Sequence, residues 1–184
     1  CLANGVKMDG GVATYTGQLG VNLAVTLVEP GKPEFTTGQM SHNFIGPTMG
    51  FWRKVNGTNK FEETQHFIRA KRTDHKGYFA VLYPFRAGET APAFVPWGQG
   101  AGVTTTVAGE KQTAICAEQP GSFNEGGVVF EGQRALAREG NGRVVLALLS
   151  GKRLEAGGCS VSASGPVSIV LAEGRVTGEA NLAE

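Results

Sequence analysis

Val21, Leu23, Val25 and Leu27 alternate with Asn22, Ala24 and Thr26, and this period-2 pattern is that of a strand with one buried face. The same period, or a short apolar run bounded by turn residues, recurs at 12–16, 50–55, 78–83, 103–107, 113–118, 128–131, 134–138, 143–149, 160–163, 167–172 and 175–178. Strands at that spacing are the pattern of an all-β sandwich rather than of βαβ units. Residues 61–71, FEETQHFIRAK, fit two periods, since Phe61, Thr64 and Ile68 form a weak helical stripe while Phe61, Gln65 and Phe67 alternate with His66, Ile68 and Ala70. Strand is preferred because both neighbours read as strands. The chain is therefore expected to be all-β, an antiparallel β-sandwich of about 12 strands forming one domain over residues 1–184.

Turn chemistry agrees. Asn141-Gly142 lies between two strand runs, where a tight hairpin needs residues that accept positive φ, and Gly157-Gly158 and Glu173-Gly174 offer the same. Residues 86–102, RAGETAPAFVPWGQGAG, show no period and read as a long internal loop. Phe94 and Trp97 within it are expected to bury against something.

Composition excludes several classes. The chain of 184 residues has a formal net charge of +1 and no run of five like charges, so neither a nucleic-acid partner nor a polybasic membrane patch is indicated. The longest apolar stretch, residues 144–149, is far below the roughly 20 residues of a membrane helix, so no membrane span is expected. Cys1, Cys116 and Cys159 have no CxxC spacing and make neither a zinc knuckle nor a redox pair. Cys116, in AICA, reads as a small buried hydrophobe, with a Cys116–Cys159 disulfide as the alternative in an exported protein. Cys1 reads either as the start of a lipoprotein or as an interior cut, and the latter makes the chain a fragment of a larger protein.

Chemistry-bearing motifs are sparse. His42, His66 and His75 are scattered without HxH or HExxH spacing, so no metal is expected. No GxSxG, P-loop or GxGxxG segment follows a strand, and no cofactor is expected. Glu62 and Glu63 are adjacent and would point to opposite faces of a strand, which excludes them as a facing carboxylate pair. Aromatic and basic neighbours are the better lead. Phe51-Trp52-Arg53-Lys54 and Tyr78-Phe79 with Tyr83 would offer flat rings for sugar stacking and cations for uronate or sulfate; the competing reading makes the same rings core or edge residues. Trp52, Arg53, Tyr83 and Trp97 are the substrate-binding candidates.

The stretch ETQHFIRAKRTDHKGYFAVLYPFRAGETAP, residues 63–92, resembles a segment of the β-sheet domain of heparinase II/III-like polysaccharide lyases, where a QHFLR-like strand end precedes a strand closing on an LYP-like motif. VNLAVTLVEPG before it, and GGVVFEGQRALAR, GRVVLALLSG and SGPVSIVLAEGRVTG after it, are similar in order to that family's strands. The resemblance implies the carboxy-terminal sheet part of a secreted, periplasmic or cell-surface enzyme that cleaves uronic-acid polysaccharides by β-elimination, with an acidic polysaccharide and the protein's own amino-terminal α/α toroid as partners. The family's catalytic Tyr and Asn belong to the toroid, and its sheet-domain His to an HxHxD segment absent from this chain. No catalytic residue therefore transfers by number, and His42, in SHNFIGP, is a candidate by type alone. The chain by itself is expected to be inactive. The alternatives are a free-standing carbohydrate-binding module and a structural or adhesive sandwich without a ligand.

Overall fold

The computed structural model describes residues 3–28, 34–45, 60–73 and 77–180. These residues form an all-β fold of antiparallel sheets, with fourteen strands rather than the expected twelve or so. Among them no helix is long and apolar enough to cross a membrane. The chain divides into two compact units, one comprising Cys1–Thr26, Lys32–Lys76 and Val81–Ala91, the other Leu27–Gly31, Gly77–Ala80 and Pro92–Glu184.

In the first unit, β1 (Ala3–Asp9), β2 (Val12–Gly17), β3 (Val21–Leu27) and β6 (Ala80–Arg86) form a four-stranded sheet in the order β1-β2-β3-β6. β4 (Glu34–Ile45) and β5 (Lys60–Lys71) form a two-stranded ribbon whose register runs unbroken from Glu34 opposite Lys71 to Ile45 opposite Lys60. The ambiguous 61–71 segment is thus a strand. Ala3, Ala13 and Tyr15 are buried together, with Val6, Met8, Leu23, Val25 and Ile68 packed against them.

The second unit is built on β7 (Val95–Trp97), β8 (Gly102–Val107), β9 (Glu110–Glu125), β10 (Val128–Gly140), β11 (Arg143–Ala156), β12 (Cys159–Ser162), β13 (Val167–Ala172) and β14 (Arg175–Ala180). The sheet order is β14-β13-β11-β10-β9-β8-β7, with β12 also on β11. The expected loop at 86–102 is therefore partly structured: it holds β7 and the turn Gly98–Gly100, whose three residues all have positive φ. Asn141-Gly142, Gly157-Gly158 and Glu173-Gly174 all take the positive φ values that two-residue hairpins demand.

β9, β10 and β11 do not run straight, and the register shows where they turn. Gly121, Gly132 and Gly151 stand opposite one another across the three strands. Beside this row Gln133 on β10, and Leu149 and Lys152 on β11, have no opposite residue. Such extra residues kink a strand and increase its twist. Gly132 has φ +151°, and a Cβ there would lie 2.3 Å from Gly151 Cα, so the row lets backbones approach as no side chain would.

The bend folds each strand back over itself. Lys111 Nζ donates to the Gly126 carbonyl, 15 residues away, although a straight strand of that length would separate them by about 50 Å. Likewise a Cβ on Gly157, past the end of β11, would lie 2.8 Å from Val144 near its start. The two halves enclose one core, with Ile115, Ala135, Ala137, Leu146 and Leu148 from one side of the bend and Val128, Phe130, Leu154, Ala156 and Val161 from the other. Two layers closing face to face over alternating apolar residues is the packing of a sandwich.

Cys116 is not the small buried hydrophobe that its apolar neighbours suggest. Thr113, Ile115 and Ala117 are the buried residues of this part of β9, and alternation turns Cys116 outward, where it is an exposed free thiol. Cys159 is also a free thiol, partly buried against the core.

Candidate functional site

Of the expected sugar-facing residues, Trp52 and Arg53 lie outside the described residues, as does the strand expected at 50–55. Tyr83 is half-buried in β6, on the same face of the strand as Val81 and Phe85. His42 lies in β4 opposite Glu63.

Trp97 is a core residue. It is 3% exposed, its Nε1 donates to the Glu125 carbonyl at 2.9 Å, and its ring lies 5.7 Å from Phe123, which stacks on Phe130 at 6.2 Å. Glu125 also accepts from the Gly98 backbone at 2.7 Å. The expected burial of Trp97 is observed, and it removes this ring from the sugar-stacking candidates, since a buried ring presents no face to a ligand.

The β4–β5 ribbon instead joins an aromatic ring to a cation. Ile68 packs with the Tyr15 cluster, so pleat alternation sends Gln65, Phe67 and Arg69 to the other face. Their partners in register are Met40, Gly38 and Thr36. Phe67 covers Gly38, where a Cβ would lie 2.5 Å from Phe67 Cζ, and aromatic cover of a strand glycine fixes the ring against the ribbon. The Arg69 guanidinium carbon lies 5.9 Å from that ring's centroid, within cation–π range. Arg69 is exposed, Phe67 half-buried and Met40 48% exposed. The pairing of a flat apolar surface with a five-donor cation suits a sugar ring carrying a carboxylate or sulfate. Aromatic-next-to-basic was the feature sought at residues 51–54; at Phe67 and Arg69 it is hidden by an intervening Ile and appears only when alternate residues are read together.

A concavity of about 310 Å³ runs along the glycine corner, lined by Pro120, Gly121, Ser122, Glu131, Gly132, Gln133, Ser150, Gly151 and Lys152. Its polar rim is engaged internally: Lys152 pairs with Glu131 at 3.4 Å, and Gln133 Nε2 donates to the Glu118 carbonyl at 3.1 Å. The hollow follows from the missing side chains of the bend.

Two titrating groups are perturbed. Burial raises the Tyr15 phenol above its ordinary value, against the smaller opposing effect of a hydrogen bond with the Ile68 backbone. The Glu155 carboxyl is held below its ordinary value by hydrogen bonds, first from Arg153 and then from Ser160. Among the described residues no group of three or more His, Cys, Asp or Glu could hold a metal ion. Neither family models nor curated proteins match the chain.

Proposed function

We propose that this chain is the β-sheet part of a heparinase II/III-like polysaccharide lyase, supporting a catalytic α/α toroid and contacting an acidic polysaccharide through the exposed face of the β4–β5 ribbon. The observation that carries the reading is the coincidence of resemblance with structure. VNLAVTLVEPG covers β3, the 63–92 stretch spans most of β5 and all of β6, and the three later segments fall on β10, β11 and the β13–β14 hairpin, in the family's order. Phe67 and Arg69 lie within the 63–92 stretch, so the ring and cation belong to the most extended part of the resemblance.

In this reading the chain supplies no acid or base. β-Elimination needs the uronate carboxylate neutralised and protons moved at C5 and C4. Arg69 could hold an acidic sugar beside Phe67, leaving the proton transfers to the toroid. The second reading, a free-standing carbohydrate-binding module, is favoured by the same ring and cation, because it needs no other domain.

Affinity electrophoresis against heparin, heparan sulfate, alginate, hyaluronan and a neutral glucan tests the contact. Retardation by at least one acidic polymer but not by the glucan is expected, persisting at about 0.15 M salt, where diffuse attraction is screened beyond about 8 Å. Arg69→Ala should abolish it with an unchanged circular dichroism spectrum. Retardation indifferent to Arg69→Ala would remove the ribbon from the site. Release of unsaturated uronate by the isolated chain would refute the division of labour with a toroid.

A further inference from the structure

The main path of the eight-stranded sheet, beside which β12 pairs with β11, ends in two unlike edges. β7 spans three residues with Pro96 in the middle, and a short strand with proline is a usual way of blunting an edge against further pairing. β14 reads Arg175-Val-Thr-Gly-Glu-Ala180, without Pro or Lys. It pairs with β13 on one side and, among the described residues, with no strand on the other.

The hydrogen-bonding groups of that free edge can be worked out from the hairpin. The β13–β14 turn consists of Glu173 (φ 51°) and Gly174 (φ 72°), with Ala172 opposite Arg175. Residues flanking a two-residue turn exchange both of their backbone hydrogen bonds, so Arg175, Thr177 and Glu179 direct N–H and C=O toward β13. Val176, Gly178 and Ala180 direct theirs outward.

We propose that β14 is a self-recognition edge, through which two copies of this chain pair antiparallel about a two-fold axis at Thr177. Only registers that place outward-facing residues opposite one another can form bonds, and three of them keep the strand in contact. Centring on Val176 sets Arg175 against Thr177 of the second copy, and centring on Gly178 sets Glu179 against Thr177. Centring on Thr177 sets Arg175 against Glu179 twice, once on each side of the axis. These pairs fall at non-hydrogen-bonded positions, where opposed side chains come closest. The same register sets Val176, 66% exposed, opposite Gly178, whose missing side chain leaves room for it. Val176 lies on the core-facing side of the sheet, because its partner Leu171 shares a face with Ile169. Pairing therefore covers an apolar side chain that one copy leaves in water.

One six-residue edge is small beside the roughly 1,000 Å² of a stable interface, so association should be weak and visible only as concentration rises. Sedimentation equilibrium of the 184-residue chain from about 1 µM to about 1 mM should show the mass rising from 19.3 kDa toward twice that value. Val176→Pro removes one outward N–H and none directed at β13, and should leave a folded monomer throughout the range. Should that variant lose its fold, the charges decide instead. Arg175→Glu sets carboxylates against each other and should weaken association about tenfold, and adding Glu179→Arg should restore it. A wild-type chain that stays monomeric, a dimer indifferent to Val176→Pro and to Arg175→Glu, or a double variant that fails to recover would each overturn the proposal.

Discussion

Two sets of long strands have opposite fates in this molecule. β4 and β5, 12 residues each, run in unbroken register and remain a two-stranded ribbon. β9, β10 and β11, of 16, 13 and 14 residues, are interrupted at one aligned row and fold over to close a core. Strand length is therefore not what makes a sheet double back. What the second set has is a glycine at the same level on three neighbouring strands and unpaired residues beside it. In the ribbon Gly38 stands opposite Phe67, with no glycine across from it and no break in register beside it. Aromatic cover does not separate the two cases, since Phe123 and Phe130 lie over Gly121 and Gly132 as Phe67 lies over Gly38; the difference is the close approach of bare backbone at Gly132 and Gly151 and the broken register beside them.

The sharpest way to break this contrast is Gly132→Val. A β-branched residue would have to adopt φ +151° with its Cβ 2.3 Å from Gly151 Cα. Strain and overpacking together should cost roughly 4 kcal/mol or more, read by chemical denaturation as loss of the cooperative transition. A mild effect would mean that the row is incidental to the bend. Next come two phenylalanines, one from each strand set. Phe130 is 1% exposed and stacks on Phe123, so Phe130→Ala should cost about 3–5 kcal/mol. Phe67 is half-buried, so Phe67→Ala should cost only about 1 kcal/mol while weakening any binding of acidic sugar. Comparable losses at the two positions would contradict the contrast between a closed core and a ribbon face.

Smaller effects concern titration. The Tyr15 phenol is raised in the folded state, so the unfolded chain ionises first. Its contribution to stability is complete below the ordinary phenol value of 10.0, and is lost as pH climbs from there through the higher folded value. Tyr15→Phe should cost about 1 kcal/mol at neutral pH through the hydrogen bond with the Ile68 backbone and should flatten the alkaline limb of the stability curve. Glu155 works in the other direction. Its carboxyl is lowered, so its contribution is present above the ordinary value of 4.5 and is lost as pH falls through the folded one. Glu155 is half-buried at the surface beside the exposed Arg153, where water screens the pair, and Glu155→Gln should alter the acid limb only slightly.

Much of the fold is legible where alternation is regular and a turn residue marks its end. β2, β3, β8, β13 and the three two-residue hairpins follow directly from side-chain spacing and positive-φ residues, whereas β5 fits two periods and reads as a strand only from its neighbours. β10 shows why the rest is less accessible. Read by alternation, residues 128–131 and 134–138 are separate strands, because Val128 and Phe130 are buried at even positions and Ala135 and Ala137 at odd ones. The extra residue Gln133 shifts the parity, and a single bulged strand reads as two. β11 conceals its bend in another way: its two extra residues restore the parity, so Leu146, Leu148, Leu154 and Ala156 are all buried at even positions on either side of the corner. β7 is obscured by Pro96, a residue that argues against a strand except at an edge. Phe67 and Arg69 escaped notice as a pair because one residue separates them in the chain, although a strand projects both from the same face.

By itself the sequence determined the all-β class and the antiparallel hairpins, because alternation and turn conformation are local properties written in successive side chains. Tertiary structure alone decided that three long strands fold at one row, which face of β9 closes over the core and so leaves Cys116 outside, and that Phe67 lies over Gly38 of the neighbouring strand. Each of these depends on register between strands distant in sequence, and a register is set by which backbones can approach and which apolar faces close together, not by the order of residues in any one strand.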